Sequence, residues 1–251
     1  MMDLTSLKLI AAVAIFFIAA VAGWFPFRKK ALSLAKFDFP RGEALACGIF
    51  LGAALIHMLS NANYNFSQLG IHYPLAFLLC GVSFLLLLLL EHLSSEISEH
   101  EGKNTASVAL LAVIMLAIHS LFEGAALGLS GSLSTAVLIL IAILAHKWAA
   151  SFSLAVQINK SDVSFKLGIV AFAIFTVMTP IGILLGNSIV NFSGQSFIEP
   201  IFTAIAAGTF LYIGTLHGLK RSVMIERCCN LRDFSFVIIG FGLMALVALW
   251  T

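Results

Sequence analysis

Eight runs of about 20 mostly apolar residues follow one another along this chain. They lie at about 7–27, 43–62, 74–91, 106–129, 134–157, 165–187, 199–219 and 234–250. A helix needs about 20 such residues to cross the hydrocarbon core of a bilayer. Of the 251 residues, 61% are hydrophobic and 10% charged, whereas soluble domains hold roughly 45–50% and about 25%. A globule of this size lacks the interior to hide so much apolar surface, so lipid must solvate much of it. The expected fold is an all-α integral membrane protein, a single polytopic domain over 1–251. Every connecting segment is short, and the net charge of +2 gives no reason to expect a nucleic-acid partner. The first run resembles a signal peptide at Ala20-Val21-Ala22, but Arg28-Lys29-Lys30 directly after it is the pattern of an uncleaved helix.

The positive-inside rule orients the bundle. With the N-terminus outside, 12 of the 14 Lys and Arg fall on cytoplasmic segments, including Lys103 in a loop at about 92–105. Lys8 is left at the outer side and Lys147 inside a helix. The reading is therefore a multi-pass protein with both termini outside the cytosol, most simply in the plasma membrane. Cys47 and Cys80 lie in apolar runs and Cys228-Cys229 are adjacent, which reads as reduced thiols rather than a disulfide framework.

The second and seventh runs repeat each other at an offset of 160. Ala46-Cys47-Gly48-Ile49-Phe50-Leu51 aligns with Ala206-Ala207-Gly208-Thr209-Phe210-Leu211, and His57 aligns with His217. The two helices cross in opposite directions, which implies an inverted repeat, helices 1–3 versus 6–8, around a central pair, 4 and 5. Such repeats are a hallmark of secondary transporters, whose sites lie near the midplane. His57 is expected near the outer end of its helix and His217 near the inner end of its own, one imidazole at each mouth.

Ionisable groups at membrane depth are costly and mark candidate sites. The fourth run carries His119 and Glu123 at i and i+4, on one helix face. The fifth carries His146 and Lys147. Two imidazoles and a carboxylate form a ligand set for zinc or a similar divalent cation, with a coordination position left open. An ion that must arrive and leave suits such an incomplete set. Ser120 and Ser151 are candidate auxiliary ligands or hydrogen-bonding supports. The bland alternatives are an intrahelical His119–Glu123 hydrogen bond and packing roles for His57 and His217. Thr179-Pro180 is expected to kink or loosen the sixth helix and free backbone carbonyls.

These motifs resemble the Zrt/Irt-like (ZIP) family of divalent metal transporters. His119-Ser120-Leu121-Phe122-Glu123-Gly124-Ala125-Ala126 is similar to the fourth-helix His-Ser-Val-Phe-Glu-Gly-Leu-Ala of one branch. His146-Lys147 with Ser153-Leu154, Thr179-Pro180-Ile181-Gly182 and Ala207-Gly208-Thr209-Phe210-Leu211-Tyr212 resemble its later helices. The resemblance covers nearly the whole chain. It implies uptake of Zn2+, with Fe2+, Mn2+ and Cd2+ as other cargo, and a homodimeric bundle. Metal is substrate here, and no cofactor is expected. The family's site positions map to His119, Ser120, Glu123, His146, Lys147 and Ala150. Lys147 and Ala150 stand where many members place carboxylates for a second ion, so a single metal is expected.

The expected mechanism is alternating access, past His57, onto His119, Glu123 and His146, and out past His217. Histidine ligands must be neutral to bind, so uptake is expected to weaken as the outside is acidified. The rival reading is an intramembrane zinc-dependent hydrolase. It needs a water-activating acid or base besides the ligands, and the chain has no His-Glu-x-x-His. A non-catalytic scaffold leaves the charges at the midplane without a purpose.

Overall fold

A computed structural model describes residues 3–32, 39–101, 104–190, 197–216 and 230–250. Among these residues the chain forms eight helices: α1 Leu4–Leu32, α2 Pro40–Gln68, α3 Leu75–Glu101, α4 Asn104–Leu129, α5 Leu133–Lys160, α6 Phe165–Val190, α7 Ile198–Leu216 and α8 Leu231–Val247. Seven are long and apolar enough to cross a membrane. The eighth, with 17 residues, is about 26 Å long at 1.5 Å per residue. Local chemistry starts several of them. Pro40 opens α2, where its missing N–H costs nothing. Ser132 accepts from the Thr135 N–H at the start of α5, and Asn230 from the Arg232 N–H at the start of α8.

The bundle is apolar outside as well as through most of its core, and it buries a few charged side chains within. Phe17, Val21, Leu85, Leu86 and Ile238 are exposed, whereas His119, Glu123, His146 and Lys147 are buried. A soluble protein would carry its charged side chains on the exterior, whereas this apolar exterior fits lipid.

The closest-packed pairs are α4 with α6, α2 with α8, α1 with α5, and α3 with α7. Exchanging α1 with α6, α2 with α7, α3 with α8 and α4 with α5 turns this set into itself. The equivalence extends to atoms. A Cβ on Gly48 of α2 would meet the Val237 carbonyl oxygen of α8 at 2.0 Å, and one on Gly208 of α7 would meet the Cys80 carbonyl oxygen of α3 at 2.3 Å. Both helices also pass into a π-helical turn at the equivalent place, Ala53–Met58 in α2 and 213–216 in α7. The repeat read at an offset of 160 is thus also a repeat of backbone geometry.

Two helices run further than their apolar stretches. The segment expected as a loop at about 92–105 is instead the end of α3 and the start of α4, with only 102 and 103 undescribed. It holds no Gly or Pro before Gly102, and Leu90, Leu93 and Ile97 keep a helical spacing. Similarly, α2 continues to Gln68 because Leu59, Ala62 and Phe66 bury one face while the Asn residues take the other. His57 therefore lies eleven residues, about 16 Å, before the end of α2, inside the π-helical turn and not near the helix end. Lys8 is also not an exposed outer charge. It is buried in α1, where Nζ donates to the Gly128 carbonyl at 2.6 Å and to Asn187 Oδ1 at 3.2 Å. A cation at the carbonyl end of α4 is favourably placed.

Candidate metal centre

The helical i, i+4 spacing puts His119 and Glu123 on one face of α4, and α5 brings His146 against it. One ligand atom from each residue lies within 4.8 Å of the others, and all three side chains are buried. Two ligands of one tetrahedral zinc at about 2.1 Å stand about 3.4 Å apart, so the widest separation in the set must close by about an ångström or slightly more. His119 Nε2 lies 3.9 Å from Glu123 Oε1, and His146 Nε2 contacts the same oxygen.

The surroundings fix how His119 presents itself. Its Nδ1 lies 3.1 Å from the Ala206 carbonyl oxygen and 2.7 Å from Thr209 Oγ1. A carbonyl only accepts, so Nδ1 carries the proton and Nε2 keeps its lone pair. Thr209 donates its own hydroxyl to Ala206 at 2.6 Å, which leaves its oxygen free to accept from His119. Such outer hydrogen bonds set tautomer and orientation in metal sites. The rings are held as well. Phe210 stacks on His119 at 3.6 Å between centroids, meets His146 edge-on at 4.8 Å, and touches its repeat equivalent Phe50 at 5.0 Å. On these three residues, three buried polar atoms have no hydrogen-bond partner among the described residues: His119 Nε2, Glu123 Oε2 and His146 Nδ1. Buried polar atoms are rarely left so, and a cation would engage donor atoms of this kind.

Lys147 occupies the neighbouring space. Its Nζ donates to Ser120 Oγ and Thr179 Oγ1, both at 2.7 Å, and lies 4.5 Å from the centre of the Phe175 ring. Ser120 is thus engaged with the ammonium. Ser151 donates to the Lys147 carbonyl one turn back at 2.9 Å. Around Thr179-Pro180, α6 continues as one helix, and the Thr179 carbonyl lies against Gly124 of α4.

A cavity of about 240 Å³ leads to the ligands, lined by His57, Asn61, Glu123, His146, Glu199 and Thr203 among others. His57 Nδ1 meets Asn61 Nδ2 at 3.3 Å. His217 lies outside the described residues. Sequence reasoning gave no site role to Thr209, Ala206, Phe210, Asn61 or Glu199, and singled out Thr179 only for its backbone. The repeated Gly-x-Phe-Leu did point to the stretch holding Thr209 and Phe210, though not to their contacts.

An apolar helical bundle with an internal repeat around a buried His2Glu donor set defines a membrane protein for divalent cations. The profile of the ZIP Zinc transporter family matches residues 5–108 and 95–248, nearly the whole sequence. The chain belongs to that family. It is similar to Zinc transporter ZIP2 of Mus musculus, 27% identical over 82% of this chain and 83% of the relative. It is also similar to Zinc transporter ZIP1 of Takifugu rubripes, 26% identical over 96% and 97%. Protein zntD of Dictyostelium discoideum is 38% identical over 59% of this chain, a match spanning 22% of that relative. The protein is thus a multi-pass divalent metal transporter of a zinc-transporting family and not an enzyme, and nothing favours the hydrolase reading.

Proposed function

We propose that the chain carries Zn2+ into the cytosol through one mid-membrane site formed by His119, Glu123 and His146. The observation that supports this best is the convergence of the three buried donors, with the Ala206 carbonyl holding the His119 lone pair free on Nε2. Three protein ligands leave a position for water or exchange, as a transported ion requires. Lys147 occupies the place of a second ion, and its ammonium repels another dication. Zinc enters from outside through the cavity past His57 and leaves past His217 as the repeat halves exchange roles. Fe2+, Mn2+ and Cd2+ suit the same donors and are further cargo. Both termini lie outside, the membrane is the plasma membrane, and the working unit is a homodimer.

Zinc-65 uptake in cells tests this. His119→Ala and Glu123→Ala, at wild-type surface expression, are expected to reduce uptake to background. Wild-type uptake by either variant would overturn the site. Competition by each rival cation in reconstituted vesicles ranks the cargo, and protease access to terminal tags reads the orientation.

A further inference from the structure

An apolar groove separate from the cavity that reaches the metal centre shares none of its lining residues. It runs between α1 and α6, has a volume of about 480 Å³, and is lined by Phe16, Trp24, Phe27, Ile169 and Phe172, with Arg28 one turn before its last α1 residue, Ala31. Trp24, Ile169 and Arg28 are exposed, so the groove opens to the bundle's exterior.

Length and charge together select an occupant. From Phe16 to Arg28 is twelve residues of helix, about 18 Å at 1.5 Å each. One leaflet of hydrocarbon is about 15 Å deep, half of a core of about 30 Å. The stretch from Phe16 to Arg28 is therefore about one leaflet long, which puts the cation at headgroup level and the last turn of the groove, to Ala31, beyond the hydrocarbon. Trp24 sits one turn inward, where an amphipathic aromatic marks the interface. The two other cations of this basic cluster are engaged. Lys29 lies over the Phe25 and Phe39 rings at 5.7 and 4.9 Å, and Lys30 donates to the Asn159 carbonyl. No protein partner of Arg28 is found among the described residues, and a guanidinium offers paired donors that match phosphate oxygens.

We infer that the α1–α6 groove is a binding site for a single anionic phospholipid, its acyl chain along Phe16, Trp24 and Ile169 and its phosphate on Arg28. The anionic leaflet is the cytoplasmic one, the side to which the basic end of α1 is assigned. The test is native mass spectrometry of the full-length protein in detergent. It is titrated with phosphatidylglycerol, with phosphatidylcholine of the same chains, and with inorganic phosphate. Wild type is expected to retain one phosphatidylglycerol about tenfold more tightly than phosphatidylcholine. Arg28→Gln is expected to abolish the preference and Arg28→Lys to keep part of it. Ile169→Trp, which fills the groove, is expected to lose both lipids. Equal retention of the two lipids by wild type, an unchanged preference in Arg28→Gln, or displacement by inorganic phosphate would each overturn the proposal. None of these readouts depends on zinc transport.

Discussion

Thr209→Val is the sharpest test of how the metal centre is built. Valine keeps the shape of threonine and removes one hydroxyl, so the packing of α7 against α3 and α4 is preserved. In the native site His119 Nδ1 has two acceptors, Thr209 Oγ1 at 2.7 Å and the Ala206 carbonyl at 3.1 Å. The substitution removes the shorter contact. It also releases the Ala206 carbonyl from the Thr209 hydroxyl that donates to it at 2.6 Å, so that carbonyl remains available to His119. Of the two hydrogen bonds the hydroxyl makes, His119 loses one, about 1 kcal/mol, or about fivefold in affinity for an ion on Nε2. That is milder than the 10–100-fold loss typical when a ligand's outer partner disappears altogether. The Michaelis constant for zinc-65 uptake is therefore expected to rise about fivefold, with the maximal rate little changed and Thr209→Ser near wild type. Zinc titration of the purified protein is expected to show the same shift. An unchanged constant would mean that Ala206 alone orients His119. Uptake as low as in His119→Ala would mean that the hydroxyl itself holds the ion.

Lys147→Glu replaces a fixed cation by a carboxylate, and zinc bound per chain, measured by elemental analysis, is expected to rise from one to two; a count that stays at one would refute the view of Lys147 as the occupant of a second ion's place. Gly124→Ala would put a Cβ 2.2 Å from the Thr179 carbonyl oxygen, and overpacking of this kind costs about 1–3 kcal/mol. A lower melting temperature in detergent is expected, and an unchanged one would show that α4 and α6 part at no cost. His57→Ala is expected to slow zinc uptake severalfold while equilibrium affinity at the central site holds; loss of both together would make His57 a ligand.

Much of this was legible in the sequence because lipid imposes few options. Apolar runs of spanning length can only be helices in hydrocarbon, so all eight appear near their expected places. The pair His119 and Glu123 was legible for the same reason, since a helix fixes what i and i+4 do. The inverted repeat could be read from Gly48 and Gly208 because each small residue admits a neighbouring backbone. What escaped depends on contacts between distant helices. The spacing of residues in α7 does not reveal that the Thr209 hydroxyl and the Ala206 carbonyl face an imidazole of α4. Ser151 looked available to the site, yet a serine inside a helix can instead bond the carbonyl one turn back, and here it does. The end of α2 escaped because hydropathy falls at Asn61 while helical patterning continues through Phe66.

The charge balance of the centre bears on how an empty carrier returns. A carboxylate alone at this depth would cost several kcal/mol. Glu123 and Lys147 are both buried, 4% and 1% exposed, and their formal charges cancel when no metal is bound. Lys147 is held by Ser120 of α4 and Thr179 of α6, the two helices packed most closely in the bundle. It therefore stays with the ligand helices through any rearrangement between the halves. On this reasoning the return of the empty site moves no net charge, whereas the loaded site carries the full charge of the dication. Lys147→Met would leave Glu123 uncompensated in the empty state. Zinc–zinc exchange across vesicle membranes, which needs no empty return, is expected to survive in that variant, while net uptake falls. Equal loss of exchange and net uptake would place Lys147 in binding rather than in return.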